Sequence, residues 1–278
     1  MFSNFTQNIT NYNPSAFSWV VKMSTQVILP VAFYISLFFF MMEVINVVVP
    51  KSQAGDNVQF KDISMAFMRW LVAMAVATAG VSIFVFITMI STGAINLFNQ
   101  SGSITDALIN SFISKIKLPD NPLSALGEIF GMLTNPGKLI NTAITGVLMY
   151  LLCLIAQIVA VISVSVIIYL RFFQLYLMAL LSPIPLVSFA SREFDSIGKN
   201  YLKYAFAYAF QTVVLVAVMW LFSFFAQPTI DVSGSLSTFS ELKDNWGSAL
   251  GSLVYAISYI VMIWQTLSVS KRLFGVGV

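Results

Sequence analysis

The sequence predicts an all-α fold: a polytopic integral membrane helix bundle with five full spans and one proline-broken segment, either re-entrant or a sixth crossing. Three observations lead there. Long uncharged runs recur at Trp70–Asn96, Thr142–Leu170, Ala205–Gln227 and Trp246–Ser270, and Thr25–Val49 carries a single charge, Glu43. Each exceeds the roughly 20 helical residues needed to cross a hydrocarbon core about 30 Å thick. Of the 278 residues, 58% are hydrophobic and only 9% are charged, whereas a soluble domain carries about 25% charged residues. The third observation is Ser182-Pro183-Ile184-Pro185, which interrupts a further apolar stretch, 172–190.

These features predict a single membrane domain over 1–278 with no separate globular unit. Residues 1–22 read as an N-terminal tail or surface helix. They hold no basic residue before Lys22 and no small-residue cleavage site, so a cleavable signal peptide is not expected. Residues 23–97 hold the first two spans. Pro30 falls early in the first, where neighbouring helices can satisfy the carbonyl it frees. A small charged connection carries Lys51, Asp56, Lys61 and Asp62, and Arg69 with Trp70 opens the second span as interface anchors do.

The connection 98–141 has a pattern of its own. Ile104, Leu108, Ile109, Phe112, Ile113 and Ile116 share one helical face, with Ser103 and Asp106 resembling a capping box. Asn121-Pro122 opens a second short amphipathic helix, and Asn135-Pro136-Gly137 closes it. Neither helix is long enough to span, and both are expected at the membrane surface or over the bundle. Residues 142–278 hold the C-terminal spans. The third span is expected to end at Arg171 and to be followed by the broken segment 172–190, because neither Pro183 nor Pro185 can continue a regular helix. The charged stretch 191–203, another span, an acidic-leaning loop and a last span leading to Lys271 and Arg272 complete the chain.

Lysine and arginine concentrate on the cytoplasmic side. Five spans with the C-terminus inside put Lys51, Lys61, Arg69, Arg171, Arg192, Lys199, Lys203, Lys271 and Arg272 inside. Six spans with both termini inside give the same tally. The uncharged N-terminus and the prolines favour five spans in a bacterial cytoplasmic membrane, N-terminus outside and C-terminus cytoplasmic.

Several function classes fall away. With no histidine, the commonest general base, metal ligand and pH switch is missing. The lone Cys153 can form no internal disulfide. No phosphate-cradling glycine loop, zinc motif or carboxylate cluster is present, and no lysine lies inside a span to activate a serine. No enzyme activity and no small-molecule cofactor or metal is expected.

The chemistry-bearing residues are therefore polar groups in lipid and charges at its edge. An intramembrane acid is a functional candidate by default, which singles out Glu43, with Gln157 and Gln211 as polar companions. It lies close enough to the end of its span to snorkel or to bond a neighbouring helix. Small-xxx-small spacing at Ala73 and Ala77, Ala205 and Ala209, and Gly247 and Gly251 marks helix-packing faces, within the chain or between copies. The cytoplasmic set Arg171, Arg192, Lys199, Lys203, Lys271 and Arg272 suits anionic lipid headgroups or docking of a partner.

From Arg171 to Phe225 the chain resembles a known family. The arginine after a long span, the SPIPL break, the charged connection REFDSIGKNYLKY and the following span are similar to the VirB/TrbL-type polytopic inner-membrane subunit of type IV secretion and conjugation systems, most of all its Gram-positive branch. The rest of the chain matches in layout, with a shorter outward connection than in larger members. The resemblance implies a non-enzymatic channel or scaffold subunit that forms homo-oligomers in the cytoplasmic membrane. It implies contact with the system's ATPase and small membrane subunits, and transient contact with a single-stranded DNA–relaxase or protein substrate. Two rival readings are a small-solute transporter or channel, since broken helices are a transporter feature, and a purely structural scaffold.

Overall fold

The computed structural model describes residues 7–54, 60–101, 144–225 and 246–277. Among them every regular element is helical. In order these are α1 (Ile9–Tyr12), α2 (Pro14–Met23), a π-turn (Ser24–Ile28), α3 (Leu29–Gln53), α4 (Phe60–Thr78), α5 (Gly80–Ser101), α6 (Ile144–Leu181), α7 (Pro183–Leu186), a 3₁₀ turn (Val187–Ala190), α8 (Asp195–Phe225) and α9 (Trp246–Leu273).

Five helical stretches are long and apolar enough to cross a bilayer: Pro14–Gln53, Gly80–Phe98, Ile158–Leu181, Asp195–Phe222 and Leu253–Leu273. Large apolar side chains such as Tyr34, Phe38, Met41 and Phe86 stand exposed on them, as lipid-facing helices require. The chain is a multi-pass membrane protein. The short helices expected over 104–116 and 122–133, and the acidic loop after Gln227, lie outside the described residues.

The structure corrects three expectations. First, α6 does not end at Arg171 but runs on to Leu181. Nothing between Phe172 and Leu181 breaks a helix. The first breaker is the Ser182-Pro183 step, and only Ser182–Ala190 forms the broken segment, a hook of one short α-helix and a 3₁₀ turn. Second, the run Trp70–Asn96 is not one uniform helix, because α4 and α5 meet at Ala79. Third, of the two readings of the N-terminus, tail or surface helix, the structure excludes the tail from Ile9 onward and has helices there that bond to the bundle. Asn8 Oδ1 accepts from Ile9 N–H at 2.7 Å and from Thr88 Oγ1 at 2.7 Å, and the Tyr176 hydroxyl donates to Ile9 O at 2.8 Å. Asn13 then caps α2, accepting from Ala16 N–H at 3.0 Å with Pro14 at the first turn, the pairing that starts helices well.

Pro30 is accommodated by the π-turn before it. The Leu29 N–H reaches back to Ser24 O, five residues away. The extra residue in this turn shifts the carbonyls out of the path of the proline ring, which a regular helix would not do.

The chain packs as two compact units: Met1–Asn96 with Tyr169–Val213 and Leu267–Val278, and Leu97–Ile168 with Val214–Thr266. In the first, Ile9, Val20, Phe84, Ile87, Leu175, Ala179, Ala205 and Ala209 form one buried cluster, and Ala32, Ala77, Leu186 and Val187 form another. Tyr12 stacks on Phe172 with ring centroids 3.8 Å apart. In the second, Ala160, Val164, Leu215, Val216, Met219, Ala256 and Ile263 are buried, and Phe222 packs against Tyr255 and Tyr259.

Candidate functional site

The feature that organises the first unit is the hook. It sits against α3 and α4, with Leu186 and Val187 buried on Ala32 and Ala77. Gly80 permits this approach: a Cβ there would stand 2.7 Å from Ser182 Oγ and 3.1 Å from Leu186 Cδ1. Pro183 is buried at the start of α7, a position that needs no backbone N–H. Within the hook Ser188 Oγ donates to Pro185 O at 2.7 Å and accepts from Gly198 N–H at 2.9 Å. The serine therefore bonds a backbone N–H in the first turn of α8 and ties that turn to the hook. A Cβ on Gly198 would meet the Phe189 ring at 2.8 Å.

Glu43 fastens this hook to the α3–α4 pair. Its side chain is 5% exposed. Oε1 accepts from Arg69 Nη1 at 2.7 Å, and Oε2 accepts from Arg192 N–H at 2.9 Å and from Ser191 Oγ at 3.2 Å. Arg192 Nε stands 3.6 Å from Oε1. One carboxylate thus joins α3, α4 and the turn after the hook. Charge-assisted hydrogen bonds of this kind are about twice as strong as neutral ones. Only the carboxylate is buried: the Arg69 side chain is 34% exposed and that of Arg192 73%. Leaving the carboxylate without a partner therefore costs about 1–3 kcal/mol, as a buried unsatisfied group does. Three hydrogen-bond donors converge on the carboxylate, so it acts as a fastening. Beside it Asn46 Nδ2 donates to Glu193 Oε2 at 3.0 Å. Two turns back along α3, Ser36 Oγ accepts from Trp70 Nε1 at 3.0 Å, within an aromatic group of Phe33, Phe40, Phe67 and Trp70.

Of the basic residues, Arg192, Lys199, Lys203 and Arg272 are exposed. Arg192 keeps a side chain 73% exposed while its backbone is held by Glu43. Lys199 pairs with Asp195 one turn earlier on α8, at 2.5 Å. Lys271 lies over the rings of Tyr204 and Tyr208, 5.8 and 5.5 Å from their centroids. The chain turns immediately after it: Val276 N–H bonds Lys271 O and Gly275 N–H bonds Arg272 O, with Gly275 at φ 65°. That is a Schellman ending, for which the left-handed residue favours glycine.

Arg171 departs from expectation. It is 4% exposed, so it offers no surface to a partner. Its Nη2 donates to Ala209 O at 3.3 Å, the same carbonyl that accepts from Ser91 Oγ at 2.5 Å. Among the described residues Nε and Nη1 have no hydrogen-bond partner, and the guanidinium lies 5.2 Å from the Phe172 ring centroid. The residue is interior because α6 continues past it and lies along α8, where the Tyr201 hydroxyl donates to Met178 O at 2.5 Å.

Ala73, Ala77, Ala205 and Ala209 are all buried, as packing positions are. Gly251 is exposed, and its Cβ position has no described neighbour within 4 Å. Gln211 is buried with Oε1 unpartnered. The side chains of Gln157 and Gly247's surroundings lie outside the described set. Sequence reasoning flagged Glu43, Pro183, Pro185 and Arg192 but missed Ser191, Ser188 and Gly198, and it read Arg69 only as an interface anchor. Ser188 meets Gly198, and Ser191 and Arg69 meet on Glu43, through the fold, and no spacing in the chain announces them. No protein-family model, curated protein or solved structure matches this chain.

Proposed function

We propose that this chain is a channel or scaffold subunit of a conjugative type IV secretion machine, helping a single-stranded DNA–relaxase or protein substrate across the cytoplasmic membrane. In this reading it is a homo-oligomer with its N-terminus outside and C-terminus in the cytosol, beside the machine's ATPase and small membrane subunits. The likeness of Arg171–Phe225 to the VirB/TrbL-type subunits motivates it. The observation that carries it is the hook. A proline-broken segment is seated on two apolar helices and pinned by Glu43, and it is followed directly by the exposed cations Arg192, Lys199 and Lys203.

Such an arrangement suits a docking face that must stay coupled to the membrane helices. Exposed cations attract acidic protein surfaces or phosphates. The Glu43 fastening ties the chain carrying them to α3 and α4, so displacement at the face is passed to the spans. The test is a donor strain carrying Arg192→Ala, Lys199→Ala and Lys203→Ala together. At about 1 kcal/mol for each exposed charge, docking is expected to weaken by roughly 100-fold. Transfer frequency falls while the protein still inserts and assembles. Unchanged transfer from fully inserted triple variant overturns the reading.

A further inference from the structure

We propose that the cavity between the N-terminal helix and the α4–α5 junction binds the ester region and one acyl chain of a membrane lipid. The cavity holds about 360 Å³, within the range of small-ligand sites. Its walls come from α2, the π-turn, α4, α5 and the hook, with Phe17, Val21, Val81, Val85 and Pro183 among them. Among the described residues no charged side chain lines it. An anionic or cationic headgroup therefore finds no counter-charge here, whereas a hydrocarbon chain finds an apolar wall.

The polar groups narrow the class further. Five lining residues carry hydroxyls. Three have already spent their protons: Thr25 on Val21 O and Lys22 O, Thr78 on Ala75 O, and Thr10 on Asn11 Oδ1. Ser24 and Ser82 have not. Among the described residues neither hydroxyl has an acceptor; Ser24 is 1% exposed, whereas Ser82 is exposed. A buried O–H without an acceptor is unfavourable, and helical serines ordinarily bond back to their own helix. A buried unspent donor at Ser24, beside an exposed one at Ser82, in an uncharged and largely apolar cavity calls for a neutral molecule with acceptor oxygens and a long apolar body. The ester carbonyls of a glycerolipid supply acceptors without charge, and its chain supplies the body. The π-turn places Ser24 on this wall, a use common to π-turns at functional sites.

The experiment places the purified full chain in nanodiscs containing a phospholipid with a photoreactive diazirine on one acyl chain, in ester-linked and ether-linked forms. Cross-links are mapped by mass spectrometry. Labelling is expected at Phe17, Val21 and Val85, in addition to the outward-facing Tyr34 and Phe38. Val81→Trp fills the cavity and lowers labelling there at least about fivefold, leaving Tyr34 unchanged. The ether form labels the cavity roughly fivefold less than the ester form, as loss of one hydrogen bond would give. Ser24→Ala with Ser82→Ala abolishes that difference, and this double variant carries the test should Val81→Trp not fold. Labelling confined to the outward face, or equal cavity labelling by ester and ether lipids in the unaltered protein, overturns the proposal.

Discussion

Glu43 and Arg192 stand 149 positions apart in the chain, and the Glu43 carboxylate accepts a hydrogen bond from the Arg192 backbone N–H at 2.9 Å. Arg69 reaches the same carboxylate at 2.7 Å from α4. Glu43→Ala removes three hydrogen bonds and is therefore expected to lower stability by about 2 kcal/mol, read as a lower midpoint in denaturant-induced unfolding in micelles. It also loosens the hook, so proteolysis near Phe194 accelerates. Combining Glu43→Leu with Arg69→Met should cost less than Glu43→Leu alone, because no charge is then left unpaired. Additive losses would mean the two side chains do not interact.

Gly80 and Ser182 make a second testable pair. Glycine to alanine in a helix ordinarily gains about 1 kcal/mol. Here the new methyl meets Ser182 Oγ at 2.7 Å, and that hydroxyl is buried and bonded to Ala179 O. Overpacking of this kind costs about 1–3 kcal/mol, so Gly80→Ala is expected to destabilise on balance. Ser182→Gly in the same chain removes Ser182 Oγ and Cβ, leaving Leu186 Cδ1 at 3.1 Å, and restores part of the loss. A stabilising Gly80→Ala would show that the hook yields freely.

Arg171 leads to the opposite expectation. Among the described residues its buried guanidinium has one carbonyl bond, the Phe172 ring at 5.2 Å, and two nitrogens without a hydrogen-bond partner. Removing a poorly compensated buried charge in favour of an apolar side chain is often neutral or stabilising by about 1–4 kcal/mol. Arg171→Met should unfold at an equal or higher midpoint than the unaltered protein. A clear fall would reveal a counter-charge on Arg171 from beyond the described residues.

How much of this was legible in the sequence follows from the length scale of each signal. The spans were legible because lipid demands long uncharged helices whatever their neighbours. The break at Ser182–Pro185 was legible because proline acts locally. Asn13-Pro14 was an equally local helix start that the tail reading of 1–22 passed over. Arg171 was misread because a basic residue after an apolar run ordinarily marks the water interface. The missed sign was Phe172–Leu181, which stays apolar and unbroken beyond it. The partners of Glu43 were not legible at all. Arg69 lies 26 positions away and Ser191 148, and only the packing of the hook on α3 and α4 brings them together.

The span count separates a hook from a sixth crossing most directly. Single cysteines at Gln53 and Ser196, both exposed, are introduced into a Cys153→Ala chain and treated in intact cells and in inverted vesicles with a membrane-impermeant maleimide. If 182–190 is a hook, two crossings separate the positions and both label from the same side of the membrane. Labelling from opposite sides would mean that the proline segment crosses on its own, and the Glu43–Arg192 fastening could not exist as described.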